Sequence, residues 1–487
     1  MITLIKINPL KGMTNPPLGL LYVGDALKKA GYEVKVLHYS SEDALNHVAE
    51  IVQSKPLFIG FSAFTAGGIK DTVLMCKEIK RVSNIPIVWG NAHASLTPEQ
   101  CLRESYIDIV VFGEGEETTV ELAKALERGE DLKNVKGIGY KDKGEIKFTE
   151  PRPFIQDLDK YKADWSLVDI NNYIRPYWNL KRVLPIVTSR GCPHNCGFCY
   201  NLAFNKRKWR AHSIDFIVSE VKKLKSEYNL DGIRFWDDNF FVDKERAFEI
   251  AKRINLPYSG DARIDYVDEN FARKLKETNC KELLFGVESG SNRILKLINK
   301  GFTVENTLRA VRILTKFGIP KISASIIIGF PTETKSEFLQ TMKLVTQLLE
   351  INPKMVVFTT GLYLTYPGVP LYELAVKEGF KPPQKTEEWE NFDRWHYGFK
   401  ADWLGWITAP EAGKIRRYVD IAAILYSLNV PIFKRLAKYR LENGNFFMDY
   451  DLRLCKWLRS KYLYGDRNNI FIKFLRTIGG AVKKWRM

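Results

Sequence analysis

Apolar and polar positions along the chain fall into two successive series. In each, short apolar runs alternate with longer stretches of helical period. The first series spans residues 1–130, with apolar runs at "ITLIKI", "EVKVLH", "PLFIGFSA", "IPIVWG" and "DIVVFG". Runs that are apolar on both faces fit strands of a sheet covered on both sides. Between them lie amphipathic stretches such as "LGLLYVGDALKKAG", which ends on Gly31 as helices tend to. Alternating strand and helix predict a Rossmann-like, doubly wound parallel sheet. A polar, proline-containing connector follows over residues 131–182.

The second series occupies residues 183–381. Strands are predicted at "VLPIVTS", "GIRFWD", "PYSGDA", "ELLFGVE", "KISASIIIG" and "MVVFTTGLYL". Helices such as Ser213–Tyr228, Val304–Phe317 and Thr334–Leu349 separate them. Six units are fewer than the eight of a closed barrel, so an open, partial (β/α)6 barrel is expected. Residues 382–487 turn aromatic-rich, then basic and mostly helical.

Composition narrows this picture. A chain of 487 residues with 45% hydrophobic and 27% charged positions implies two or three domains with real cores. No run of about 20 uncharged apolar residues occurs, and "MITLIKINPL" reads as a strand and lacks the pattern of a secretory signal. Seven irregularly spaced cysteines do not form a disulfide framework, so a cytoplasmic protein is expected. The net charge of +17 is concentrated at the end: Pro431–Met487 carries 14 Lys/Arg against four Asp/Glu. A basic appendage without a reading module argues against nucleic acid as a partner.

Three of the seven cysteines sit within "SRGCPHNCGFCYN": Cys192, Cys196 and Cys199. Thiolates suit soft metals, and iron–sulfur clusters are typically held by four. Structural zinc also needs four ligands, and His194 inside the loop is crowded against the same metal. Three buried structural cysteines are the bland alternative, but that does not explain their place in a Gly/Pro-containing loop after a strand. A 4Fe–4S cluster on three cysteines leaves one iron open to a small molecule.

The spacing C-x3-C-x-Φ-C, with Phe198 as the aromatic residue, resembles the signature of the radical S-adenosyl-L-methionine (SAM) superfamily. The resemblance implies that the open iron chelates SAM. It extends over the later strand ends, where ligands of parallel sheets bind. Asp237, Asp238 and Asn239 resemble the motif contacting the SAM amino group, and Arg263 is placed to reach its carboxylate. Glu288 resembles the ribose-binding acid, with Ser289 beside it. Gly329 and Pro331 in "IIIGFP" resemble the adenine-binding strand end, and "LTYPGVPLY" resembles a last-strand motif of one subgroup. The likeness covers roughly Leu184 to Phe380.

The N-terminal series resembles the cobalamin-binding domain that precedes the barrel in class B radical SAM methyltransferases. The matching pieces are "NPPLGLLYVGDALKKAGYEV", "GFSAFT", "WGNAHAS" and "FGEGEET". They imply cobalamin contacts at Ser62, Phe64, Thr65, Gly90, Asn91, His93, Ala94, Ser95, Gly113, Glu114 and Gly115. No D-x-H-x-x-G motif is present, so the cofactor would bind base-off, with His93 a candidate contact or a structural hydrogen-bonding residue. Gly90-Asn91 stands where the family usually has Gly-Gly; Asn tolerates positive φ. The glutamates of "GEGEET" would repel phosphate, which predicts a tight turn into a helix beginning near Glu116.

The resemblance implies a methyltransferase acting on an unactivated carbon. A 5′-deoxyadenosyl radical would abstract a substrate hydrogen, and methylcobalamin would deliver the methyl group. The alternative is a radical cyclase or carbon–carbon coupling enzyme acting on a lipid, tetrapyrrole or other hydrophobic molecule. The substrate is expected to be a small molecule, lipid or peptide, and the electron donor a ferredoxin or flavodoxin. The cationic, aromatic tail fits either a helical cap on the barrel or peripheral contact with an anionic membrane surface.

Overall fold

The computed structural model describes residues 1–8, 15–65, 68–177, 179–392, 405–407, 409–427 and 431–446. Two seven-stranded sheets organise them. The first comprises β1 (Ile2–Asn8), β2 (Val34–Ser40), β3 (Ile59–Ser62), β4 (Ile87–Gly90), β5 (Ile109–Val111), β6 (Ile138–Asp142) and β7 (Glu145–Phe148). Their order is β2-β1-β3-β4-β5-β6-β7, and β1 to β5 run parallel. The order reverses at β1 and β3, the switch point at which a doubly wound sheet opens its ligand crevice. Apolar strands such as β5, buried throughout, suit a sheet packed on both faces.

The connector is more structured than its polarity predicts. It adds β6 and β7 to the sheet as an antiparallel hairpin. At the turn, Lys143 (φ 49°) and Gly144 (φ 88°) take the successive left-handed conformations of a tight hairpin turn. Lys-Gly lacks the usual Asn-Gly signature, which hides the hairpin in the sequence. Much of the remaining polarity serves turns. Asp131, Asp157, Asp164 and Asp169 each accept the backbone N–H two residues on and open a short 3-10 turn.

The second sheet takes β8 (Arg175–Tyr177) and β9 (Leu180–Ile186) from the end of the connector. A small hairpin of β10 (Ser189–Arg190) and β11 (Arg210–Ala211) follows and closes the cysteine loop at its base. Then come β12 (Gly232–Phe235), β13 (Tyr258–Ala262), β14 (Cys280–Glu288), β15 (Lys321–Ile328) and β16 (Val356–Leu362). The order is β16-β15-β14-β13-β12-β9-β8, parallel from β9 to β16, with β8 antiparallel at one edge. Among the described residues the two edges do not pair, so the six-stranded parallel barrel is open.

Alternation along these strands separates two faces. Ile233, Phe235, Leu283, Phe285, Ile322 and Ala324 are buried in the outer core with the helices. The residues between them point to the inner face. Helices Ala409–Ser427 and Pro431–Asn443 close the described chain against the barrel. The indole N–H of Trp406 donates to the Glu333 carbonyl at 2.6 Å, and Phe446 packs on Phe338 and Tyr418. This part of the tail is a cap; residues 447–487, which carry most of its basic charge, lie outside the described residues. Among the described residues no helix is long and apolar enough to cross a membrane.

Candidate functional site

A cavity of about 360 Å³ lies where the carboxyl ends of β3, β4 and β5 meet the top of the barrel. The first domain contributes both apolar side chains, such as Leu4, Phe58 and Val88, and small residues to it. Gly19, Gly60, Ser62, Gly90, Asn91, Gly113 and Gly115 line one side. A Cβ added at Gly19 or Gly113 would meet no atom within 4 Å, so absent side chains leave room in this wall. Asn91 takes φ 79°, and its amide donates to the Ser62 hydroxyl at 2.9 Å. It thus keeps the left-handed turn that glycine would otherwise supply. Ser95 donates to the Asn91 carbonyl and accepts the Gly113 N–H at 3.1 Å, tying the β4 and β5 loops together.

His93, Thr65 and Ala94 are placed away from this cavity. His93 is fully buried; its Nδ1 lies 3.2 Å from the Thr65 hydroxyl and its ring packs on Trp89 and Trp389. Burial lowers its pKa to about 3, so it is a neutral core residue. Trp389 arrives from beyond the barrel, where its indole N–H donates to Gln100 at 2.7 Å. Phe64 is more exposed and meets edge-on Tyr200, which lines the cavity.

The helix of "GEGEET" begins at Glu116, as its sequence predicts. Its two first carboxylates form a junction between the halves of the molecule. Glu114 accepts from Arg190 at 2.9 Å and Arg210 at 2.8 Å, and Glu116 accepts from Arg190 at 2.6 Å. Glu114 also accepts the Ile155 N–H at 2.7 Å. Arg190 and Arg210 pair across the small hairpin that carries the cysteine loop, and the Arg190 guanidinium stacks 4.7 Å from the Tyr22 ring. Sequence reasoning missed both arginines because their partners are about 75 to 95 residues away.

Cys192, Cys196 and Cys199 are half-buried free thiols on the loop between β10 and β11. The N–H of Gly197 donates to Ile298, and Leu371 N–H donates back to Gly197, so the loop is held by two barrel segments. Burial pushes the Cys199 thiol up to about 12, and a metal would have to displace its proton. Among the described residues no three His, Cys, Asp or Glu side chains converge as they would on one metal ion. A cubane distributes its ligands over separate irons and needs no such convergence; three thiols on one loop fit that donor set.

Asp237 faces the backbone below this loop. It accepts from the Thr188 N–H at 3.1 Å, the Thr188 hydroxyl at 2.9 Å and the Ser189 hydroxyl. Burial raises its pKa to about 6. This placement makes it an anchor of the loop. Asp238, which lines the cavity, accepts the Gly191 N–H at 3.0 Å, next to Cys192. Asn239 donates to Tyr266 at 3.1 Å, and that phenol also lies 2.6 Å from His194. The Asn239 side-chain oxygen is buried without a partner.

Across the loop, Arg263 chelates Asp265 with two bonds of 3.0 Å, and its remaining nitrogen approaches the Cys196 sulfur at 3.7 Å. Glu288 takes φ 65° at an irregularity of the β14 pairing and is buried. Its carboxylate accepts from Lys300 at 3.0 Å, and the Lys300 ammonium lies 5.4 Å from the Phe198 ring. Lys300 therefore joins the glutamate to the cysteine loop; in "INKGF" it has no motif to announce it. Phe198 also meets Phe330 edge-on at 5.7 Å, so the "GFP" turn with Gly329 (φ 84°) and Pro331 packs on the same loop. Ser289 is turned away: it is buried 3.2 Å from the Thr341 hydroxyl and accepts the Ser291 N–H.

Comparison with known proteins agrees with this layout. Residues 12–123 match the B12 binding domain and residues 186–345 the Radical SAM superfamily. An uncharacterised methyltransferase of Pyrococcus horikoshii is 35% identical over 388 residues, 75% of this chain and 79% of that protein. The anaerobic magnesium-protoporphyrin IX monomethyl ester cyclase of Synechocystis is 31% identical over 366 residues, 72% and 70% of the two chains. Among solved structures, the cobalamin-dependent S-adenosylmethionine radical enzyme OxsB superposes with a TM-score of 0.63 at 19% identity. That match covers 99% of this chain and 79% of OxsB.

Proposed function

The chain belongs to the cobalamin-dependent radical SAM enzymes, and on that premise we infer that it transfers a methyl group to an unactivated carbon of a small molecule. The family brings a 4Fe–4S cluster, SAM and cobalamin as its cofactors. In this reading Cys192, Cys196 and Cys199 hold the cluster, Asp238, Arg263 and Glu288 the SAM, and the glycine-lined wall the cobalamin. When bound, the cluster and SAM supply a 5′-deoxyadenosyl radical to take a substrate hydrogen, and cobalamin supplies the methyl group.

One observation carries the reading: a single cavity is walled by both the small-residue edge of the first sheet and the barrel top beside the cysteine loop. The chain's own residues serve this chemistry by holding and excluding. Asp237 and Asp238 fix the loop backbone, Lys300 and Arg263 place positive charge beside Cys196, and apolar Leu4, Phe58 and Val88 keep water from one side of the cavity.

The test is an incubation of anaerobically reconstituted protein with SAM and a low-potential reductant. Bound cobalamin together with both 5′-deoxyadenosine and S-adenosylhomocysteine is the expected result. Abundant 5′-deoxyadenosine without bound cobalamin overturns the methyltransferase in favour of the cyclase, the second reading, which the Synechocystis relative supports. A ferredoxin or flavodoxin is the electron donor in either case. Peripheral contact with an anionic membrane is a further element of the reading. Ile432, Leu436 and Tyr439 are exposed on the helix Pro431–Asn443, among its lysines and arginines.

A further inference from the structure

The inner face of the open barrel is built in rows, because neighbouring strands are in parallel register. Arg234 pairs with Ser259, Ser259 with Glu282, and Glu282 with Lys321. One row nearer the carboxyl ends, Asp261 pairs with Leu284 and Leu284 with Ser323. Trp236, two residues beyond Arg234, belongs to the same level. Asp238 and Arg263 stand two residues further along the same strands, about 6.6 Å higher at the usual rise.

In the floor of this face the Ser259 hydroxyl is, among the described residues, buried without a partner, whereas Glu282 is satisfied internally. Glu282 accepts from Tyr177, from the Ser323 hydroxyl at 2.5 Å and from Lys321 at 3.0 Å. Arg234 and Asp261 are different. Both are half-buried, and among the described residues neither side chain has a hydrogen-bond or ion-pair partner. The guanidinium is stacked between two rings, 5.0 Å from Tyr177 and 5.7 Å from Trp236, so its fork is held in place but unused. Asp261 is near enough to feel its charge, without a hydrogen bond between them. Burial above all, and then the charges of Glu282, Asp237 and Asp238, push the Asp261 carboxyl up to about 7 against the lowering effect of Arg234. The polar atoms of Arg234 and Asp261 stay open to water on the inner face and free to take a ligand, whereas the neighbouring Glu282 is fully partnered.

Resting on the proposed function, we propose that Arg234 and Asp261 are the substrate-recognition pair of this enzyme. The substrate is then an apolar, ring-bearing small molecule with a carboxylate for Arg234 and an N–H or O–H donor for Asp261. A planar guanidinium matches a carboxylate with two parallel hydrogen bonds. Trp236, two residues beyond Arg234, and Leu284, paired with Asp261 on its far side, offer apolar surface beside the two groups, and Trp236 also lines the junction cavity. A molecule anchored at this level extends its far end upward, past Asp238 and Arg263, toward that cavity.

The probes are indole-3-propionate, its methyl ester and its N-methyl analogue, titrated into the reconstituted full chain with SAM and cobalamin present. The acid is expected to bind roughly tenfold or more tightly than the ester. Arg234→Gln brings that ratio to about one, and Asp261→Asn removes the preference for N–H over N-methyl. Arg234→Lys, which keeps the charge and loses the fork, gives an intermediate ratio. An acid that binds the wild type no better than its ester overturns the proposal without recourse to any variant. So does a preference that survives in Arg234→Gln. Formation of 5′-deoxyadenosine and S-adenosylhomocysteine by the same wild-type preparation reports the proposed function separately. Those products without acid preference remove only the pair; acid preference without them removes only the methyltransferase.

Discussion

The two sheets meet at one junction but build their walls in opposite ways. On the first domain's side Gly19, Gly90 and Gly113 leave room in a wall otherwise formed by apolar side chains such as Leu4, Phe58 and Val88, and Asn91 and Ser95 secure the backbone. The barrel brings Arg190, Tyr200, Trp236 and Asp238 to the cavity, and, outside its lining, Arg263, Glu288 and Lys300 place charge around the cysteine loop. A bulky, largely preformed ligand is accommodated by space and backbone. A small charged ligand and a cluster demand placed charges. The difference also explains the two ways a substitution would do harm, by filling the first wall or by uncoupling the second.

The largest effect is expected at the cysteine loop. Cys192→Ala, Cys196→Ala or Cys199→Ala each lowers SAM cleavage at least ~100-fold and abolishes the cluster's visible absorption, read on anaerobic protein. Filling the first wall comes next. Gly19 is in a helix and its Cβ points into free space, so Gly19→Trp lowers cobalamin retention roughly tenfold or more while the fold persists. SAM binding, measured by equilibrium dialysis, stays unchanged. If Gly19→Trp lowers SAM binding instead, the division of labour between the two walls is wrong.

Uncoupling the second wall is smaller but sharper. Glu288→Gln leaves buried Lys300 without its counter-charge and weakens SAM about tenfold, at a stability cost of about 3 kcal/mol by denaturant titration. Arg210→Gln, on the junction between the halves, costs a similar or smaller amount. It raises hydrogen exchange at β10 and β11 before the barrel core is affected.

The smallest effect separates His93 from the cobalamin wall. His93→Gln leaves the cobalamin spectrum and retention unchanged. It does alter the pH profile of stability. The native state holds His93 at about 3 against an ordinary 6.5, so its contribution is full above pH 6.5 and erodes toward pH 3 as the unfolded chain takes up the proton. The variant flattens stability loss in that window.

Local signals in the chain carried the strands, the helix starting at Glu116 and the cysteine spacing. Each of these depends on neighbours within a few residues. What stayed hidden depends on distant partners. His93 packs on Trp389, and Lys300 pairs with Glu288 beside the cysteine loop. Arg190 and Arg210 gain meaning only when Glu114 and Glu116 fold against them. The β6–β7 hairpin escaped for a different reason: Lys143-Gly144 makes the required turn without the residues that usually advertise it. Motif likeness placed Ser289 in the SAM set, while its hydroxyl is committed to Thr341 and the following turn.

Opposition of the two walls across one cavity is the central claim. Electron paramagnetic resonance on reconstituted protein tests it directly, by comparing the cob(II)alamin signal with the cluster oxidised and reduced. The account predicts that reducing the cluster broadens the cob(II)alamin signal and speeds its relaxation, and that Cys199→Ala removes the effect. A cob(II)alamin signal indifferent to the cluster's redox state would place the two cofactors apart and contradict the shared junction.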